Sequence, residues 1–245
     1  MQNFFITQWF DWKSSKVSGR IETVNTLLKK LGFWVYLQPP PYSGLMTNVE
    51  QRMNLYHLLS QVLFYGVPGE VVELGCNQGQ SSALIRRIID HFDPTREFHV
   101  YDSFEGLPGV SSADGATPYS EGQLRTSKDV LAANFERYGL RLPVIHQGWF
   151  EDTLPTGLPE QISFAYLDGD LYSSILVSLQ HVYPRMSPGA ICLIDDYADP
   201  EVYPEAWNKL PGVKAACDEY LADKPEKVSF IYSGGMSHGF FRKQR

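Results

Sequence analysis

"ISFAYLDGDLYSSILVSLQHVYPRMSPGAICLIDDY", residues 162–197, decides the fold class. An apolar run stops at Asp168-Gly169-Asp170, a stretch with helical spacing of apolar residues follows as far as Pro184, and a second apolar run stops at Asp195-Asp196. Runs that are apolar at nearly every position belong to strands buried on both faces. Strand, helix and strand within this length make one right-handed crossover unit, with the two strands parallel.

The same alternation extends toward the N-terminus. "EVVELG" (70–75), "FHVYDS" (98–103) and "PVIHQG" (143–148) read as strands, and "SSALIRRIIDHF" (81–92) and "VLAANFERY" (130–138) as helices. A long loop rich in Gly, Ser and Pro spans about 105–125. The pattern predicts an α/β fold with a mostly parallel sheet covered on both faces. "KVSFIYS" (227–233) and "HGFFRK" (238–243) predict a hairpin that adds an antiparallel pair at the edge of that sheet. Capping boxes are expected at Thr47 with Glu50, opening a helix that runs to Gly66, and at Thr126 with Asp129, opening a helix that Gly139 ends.

Residues 1–45 stand apart from the domain expected at 46–245. They concentrate Phe4, Phe5, Trp9, Phe10, Trp12, Phe33, Trp34, Tyr36 and Tyr42, and the prolines of "QPPPY" (38–42) exclude helix there. An aromatic lid over the site and a dimerisation segment are equally consistent with this composition; the 105–125 loop is a second candidate for a movable cover.

A length of 245 residues with 43% hydrophobic content supports one large domain with a full core. The net charge of -7, with no long basic run, excludes a nucleic-acid partner, because such binding rests on neutralising phosphates. No apolar stretch approaches the roughly 18 residues of a membrane span, and the opening residues lack the plan of a signal peptide, so a cytoplasmic chain without a membrane partner is expected. Cys76, Cys192 and Cys217 form no C-x-x-C and read as small core residues.

"VVELGCNQGQSS" (71–82) is a strand, a glycine turn and the start of a helix, a place where ligands meet backbone N–H groups. The dinucleotide fingerprint G-x-G-x-x-G is absent, since Gly75 and Gly79 stand as G-x-x-x-G. Glu73 ahead of the turn is a poor neighbour for a pyrophosphate and a good one for a cation, and Asp102, ending the next strand, can accept from ribose hydroxyls. A nucleoside with a cationic tail satisfies all four residues, and S-adenosylmethionine is one.

The four acids Asp168, Asp170, Asp195 and Asp196 fall at the carboxyl ends of two strands, where open α/β sheets bind ligands. Like charges about 4 Å apart repel by roughly 4 kcal/mol at an effective dielectric of 20, and a bound cation removes the conflict. Oxygen-only ligands point to a hard ion such as Mg²⁺. The competing reading, strongest for Asp170 and Asp196, is that some of these acids cap the next helix or loop.

The stretches "GVPGEVVELG", "YDSFEGLP", "NFERYGL", "GWFEDTLP", "LDGDLYSS", "YPRMSPGA" and "IDDY" together resemble the macrocin O-methyltransferase family of S-adenosylmethionine-dependent enzymes, over roughly residues 46–200. The resemblance implies the class I, Rossmann-like methyltransferase fold and methyl transfer to a hydroxyl of a sugar or other diol-bearing natural product. It implies that Glu73, Gly75, Cys76, Asn77, Gly79, Ser81, Asp102, Ser103, Phe104, Gly148, Trp149, Phe150 and Asp168 line the cofactor, and that Asp168, Asp195 and Asp196 hold Mg²⁺. Asn77, Gln78 and Gln80 depart from the tryptophan, arginine and glycine usual in that turn, and the segment 198–213 is longer than usual. The general base is open among Asp168, Asp170 and His146. A homodimer or higher homo-oligomer is expected. Rival functions are a nicotinamide-dependent oxidoreductase, since Asp102 would serve its ribose equally well, and a non-catalytic nucleotide or sugar binding protein of the same fold.

Overall fold

The structure, a computed structural model, describes residues 16–33 and 47–245. Contacts divide the chain into Met1–Met46 and Thr47–Arg245. Within the first unit the described part is helix α1, Lys16–Lys30, followed by a turn at Gly32. The aromatic residues expected to form a cover, apart from Phe33, and the proline stretch 38–42 lie outside the described residues.

The second unit runs α2 (Val49–Phe64), β1 (Glu70–Leu74), α3 (Gln80–Phe92), β2 (Phe98–Asp102), α4 (Lys128–Tyr138), β3 (Val144–Gln147), α5 (Phe150–Gly157), β4 (Ile162–Leu167), α6 (Tyr172–Val182), β5 (Met186–Asp195), α7 (Pro211–Tyr220), β6 (Ser229–Ser233) and β7 (Met236–Arg242). These strands form a seven-stranded sheet in the order β3-β2-β1-β4-β5-β7-β6, with β7 antiparallel to both of its neighbours and the rest parallel. The expected α/β class, parallel sheet and C-terminal edge hairpin are all present. The chain leaves β1 toward β2 and β3, then returns to lay β4 and β5 on its other side, so right-handed crossovers put the two sets of helices on opposite faces. The gap between the ends of β1 and β4 is the topological switch point, where such sheets bind ligands.

Every residue of β4 is buried, as are the last four of β1 and the last six of β5. Each fully buried Leu or Ile contributes roughly 1.5–3 kcal/mol relative to exposure, which makes these three strands the rigid floor of the site. Cys76, Cys192 and Cys217 are buried and free, as expected of core residues.

Both helix starts shift by one residue, and at the second the expected box is replaced by a simple cap, since Val130 has no side-chain acceptor to close it. Asn48, not Thr47, caps α2: its side chain accepts from the Gln51 N–H at 2.8 Å, and Gln51 Oε1 accepts from the Asn48 N–H at 3.0 Å. Asn is at least as good a cap as Thr, and Thr47 is occupied by Arg52, whose guanidinium donates to its hydroxyl and carbonyl. Ser127 caps α4, because the Thr126 N–H is committed to the Phe104 carbonyl. Gly139 ends α4 in the left-handed conformation, as expected. The short helices α5 and α7 are legible only in weak signals, Glu151 and Asp152 in the first turn of α5 and Pro211 opening α7.

The 105–125 loop is folded down rather than loose. Leu107 and residues 122–123 exchange backbone hydrogen bonds. A 3-10 turn at Ser112–Asp114 buries the Asp114 carboxylate, which accepts from the N–H and hydroxyl of Ser111 and, at 2.6 Å, from the N–H of Tyr172. The acid serving the N-terminus of α6 is therefore Asp114, not the Asp170 just before that helix.

Gly75 has φ +88°, and a Cβ there would lie 1.9 Å from the carbonyl oxygen of Asp168. Gly75→Ala is expected to cost at least about 2 kcal/mol in urea denaturation, from the left-handed backbone and the clash together. A loss under about 0.5 kcal/mol would contradict this account of the turn.

Candidate active site

The carboxyl ends of β1, β2 and β3 build one half of the site. The turn Gly75–Gly79 closes over β1, with the Gly75 N–H bonded to the Tyr101 carbonyl at 2.9 Å and Asn77 at φ +43°. Asp102 organises this turn: Oδ2 accepts from the N–H groups of Cys76 (3.0 Å) and Asn77 (2.8 Å), and Oδ1 from that of Phe104 (2.7 Å). About three of its roughly four lone-pair sites are taken by backbone, so little capacity is left for the ribose contacts expected of it. Ser103 is tied into the same turn, donating to the Gly106 carbonyl and accepting from the Glu105 N–H. Gly148 reaches this group through its N–H, bonded to the Asp102 carbonyl at 3.0 Å; Trp149 then caps α5, and Phe150 packs onto the core.

Glu73 is fully buried in β1. Its Oε2 accepts from the Ser82 hydroxyl and its Oε1 has no partner among the described residues. Burial pushes its carboxyl up to about 7, against the hydrogen bonds of Ser81 and Ser82, and the charge of Asp102 adds to the rise. A buried carboxyl with one oxygen unmatched fits a cationic ligand in this turn.

The ends of β4 and β5 build the other half. Single carboxylate oxygens of Asp168, Asp195 and Asp196 lie within 4.8 Å of one another. Burial and the neighbouring carboxylates, Asp195 first among them, push Asp168 and Asp196 well above the usual range. Asp170 is pushed up to about 7 by burial, then by Asp195 and Asp102. Burial acts on Asp195 too, yet His238, Tyr166 and the N–H of Asp196 outweigh it and hold that carboxyl low. Asp196 Oδ1 is buried without a partner among the described residues. Three convergent carboxylates, two of them unable to ionise comfortably, fit a hard divalent cation.

The two halves touch. The Asp168 N–H donates to the Leu74 carbonyl at 2.8 Å, and Gly75 lies against the Asp168 backbone. His146 is not brought here. It sits on β3, three strand spacings or about 14 Å from β4. Its ring stacks on Tyr101 at 4.3 Å, its Nε2 is 3.1 Å from His99 Nδ1, and α5 covers it at Gly157. The position of β3 in the strand order, unreadable from local sequence, removes it from the candidates for the base.

Sequence reasoning missed Gln51, Tyr119, Tyr166 and His238. Tyr119, on the 105–125 loop, feels all four acids: burial and then Asp170, Asp196, Asp168 and Asp195 push its phenol up to about 12. The other three surround Asp195. Local pattern reads each of them as an ordinary member of its helix, strand or loop, with nothing to single it out.

Residues 22–216 match the family described as Macrocin-O-methyltransferase (TylF). The chain is 40% identical over 169 residues to the 8-demethyl-8-(2,3-dimethoxy-alpha-L-rhamnosyl)-tetracenomycin-C 4'-O-methyltransferase of Streptomyces olivaceus, covering 65% of this chain and 64% of that one, a little under two thirds of its length. It is 36% identical over 172 residues to the Mycinamicin III 3''-O-methyltransferase of Micromonospora griseorubida, covering 66% and 68%. Among solved structures, the O-methyltransferase NovP superposes with a TM-score of 0.67 at 29% identity, covering 81% of each chain.

The raised carboxyls set a sign for stability against pH. A carboxyl held above its unfolded value stabilises the fold while protonated, and that contribution is lost as pH rises through the folded value. Without divalent cation, these carboxyls are expected to lower the melting temperature between about pH 4 and about pH 7, the interval from unfolded carboxyls to Glu73 and Asp170. A smaller opposing rise at about pH 6 is expected from His99, His146 and His181, whose rings burial holds below their usual range. Added Mg²⁺ is expected to reverse the fall at the upper end. A melting temperature that stays flat, with or without Mg²⁺, would contradict the assignment.

Proposed function

The chain belongs to the macrocin O-methyltransferase family, and we propose that it moves a methyl group from S-adenosylmethionine to a hydroxyl of a sugar, or another diol-bearing part of a natural product, with Mg²⁺ held by Asp168, Asp195 and Asp196. The observation that carries this reading is the contact between the glycine turn and the backbone of Asp168. It makes the cofactor half and the acidic half of the site continuous, as direct transfer between two bound molecules requires. The names of the two relatives, one for a rhamnosyl-bearing tetracenomycin and one for the 3'' position of mycinamicin III, support the acceptor class.

Glu73 and the turn from Gly75 to Gly79 receive the cationic end of the cofactor, with Asp102 holding the turn in shape. S-adenosylmethionine supplies an electrophilic methyl on a sulfonium. Mg²⁺, when bound, supplies a charge that gathers vicinal acceptor oxygens and eases ionisation of the attacking hydroxyl. Asp168, Asp195 and Asp196 fix where that charge sits. With the cofactor and acceptor bound, the acceptor oxygen would take the methyl group, the electron pair of the broken carbon–sulfur bond would stay with sulfur, and Asp170 or Asp168 would receive the hydroxyl proton. Asp170 is the better placed of the two to act as base, since Asp168 serves the cation. Tyr119 and the latched 105–125 loop wall the acceptor side and exclude water. The G-x-x-x-G turn and the family membership both count against nicotinamide chemistry.

The test is turnover of demethylated deoxysugar glycosides with S-adenosylmethionine, following a gain of one methyl by mass and formation of S-adenosylhomocysteine. Activity should vanish on chelation and return with Mg²⁺; turnover that survives chelation overturns the metal assignment. Asp170→Asn is expected to lower kcat by roughly 10²–10⁴-fold while cation affinity holds. If kcat is untouched, the base is elsewhere.

A further inference from the structure

Asp195 is gripped by side chains from three other elements. Gln51 of α2 donates from Nε2 to Oδ1 at 2.9 Å, His238 of β7 brings Nε2 to 2.8 Å from the same oxygen, and the N–H of Asp196 donates to it at 3.0 Å. Tyr166 of β4 donates its hydroxyl to Oδ2 at 2.8 Å. Gln51, Tyr166 and His238 are each about 1% exposed. Burying polar side chains around one carboxylate is costly; Gln51 and Tyr166 offset that cost by bonding it, and His238 sets a ring nitrogen against it, so the grouping is a built one.

Gln51 has its direction set by a second bond, and His238 is backed by a second side chain. Gln51 Oε1 accepts from the Asn48 N–H in the capping box, which leaves Nε2 as the end that meets Asp195. Asn54 Nδ2 stands 3.4 Å from His238 Nδ1. This contact places the Asn54 amide beside the far side of the His238 ring from Asp195. Asn54 is itself held by the Tyr232 carbonyl and the Ser233 hydroxyl of β6. A chain of contacts thus runs from β6 through α2 and β7 to the end of β5.

Oδ1 accepts two hydrogen bonds, from Gln51 and from the Asp196 N–H, with His238 Nε2 set against it at 2.8 Å, and Oδ2 accepts one. A carboxylate has roughly four lone-pair sites, two on each oxygen, so the site left open is on Oδ2. We infer that Gln51 and His238 are positioning residues that lock Oδ1 of Asp195, so that Asp195 takes a cation through Oδ2 alone. This rests on the metal reading above and adds selectivity to it. A one-oxygen carboxylate suits Mg²⁺, which demands compact octahedral geometry, whereas Ca²⁺ accommodates two-oxygen ligation and more ligands. The lock therefore favours Mg²⁺ over Ca²⁺.

The experiment is calorimetric titration of the chelator-treated full chain with Mg²⁺ and with Ca²⁺, comparing wild type with Gln51→Met, His238→Leu and His238→Gln, each checked for its fold by circular dichroism. Gln51→Met is nearly isosteric, which keeps the test open should His238→Leu fail to fold. Gln51→Met and His238→Leu are expected to weaken Mg²⁺ binding about 10- to 100-fold, the usual effect of losing an outer partner of a metal ligand, and to narrow the preference for Mg²⁺ over Ca²⁺. His238→Gln, which can still present an N–H to Oδ1, is expected to recover most of both. Folded variants that keep wild-type affinity and preference overturn the positioning role and leave the metal assignment standing. A wild-type chain that takes up neither cation overturns the metal assignment and the lock with it.

Discussion

The approach of Gly75 to the backbone of Asp168 is the constraint on which the site depends. β1 and β4 pair in register up to Leu74 and Leu167. The next residue of each strand must then turn away without losing its neighbour. A side chain at Gly75 would occupy the space of the Asp168 carbonyl oxygen, so glycine is what allows the turn to close while Asp168 bonds back to Leu74. The turn and the acidic cluster consequently share one piece of backbone, floored by strands with no freedom to shift.

Electrostatics then divides the labour among the acids. Asp195, surrounded by donors, keeps its charge within the core. Asp168 and Asp196, facing Asp195 with fewer compensations, resist ionisation. Asp170 stands at the margin, pushed up to about 7, between the fields of Asp195 and Asp102. Identical side chains take different states because their hydrogen-bond partners differ, and those partners come from α2, β4 and β7, far away in sequence.

The 105–125 segment shows the same economy of structure. Its length and composition suggest mobility, yet one buried carboxylate, Asp114, ties it to the first turn of α6 beside the acidic cluster. The loop carries Tyr119 to the cluster by this tie. Asp102 repeats the device at the glycine turn, where backbone N–H groups take most of its acceptor capacity. In both places a carboxylate organises backbone, and at Asp102 this is the first role of an acid that reads as a ligand contact from sequence.

The sequence by itself determined the α/β class, the parallel strands, the edge hairpin, the glycine turn and the placing of Asp168, Asp195 and Asp196 at strand ends. Each follows from local periodicity or from residues at the end of an apolar run. Tertiary structure alone decided strand order, which carried His146 away from the acids, and decided the partners of Asp195. Gln51, Tyr166 and His238 stand in elements that local patterning explains completely as helix or strand. Their role arises only where three separate chain segments meet around one carboxylate, and contacts of that range leave no mark in the neighbouring sequence.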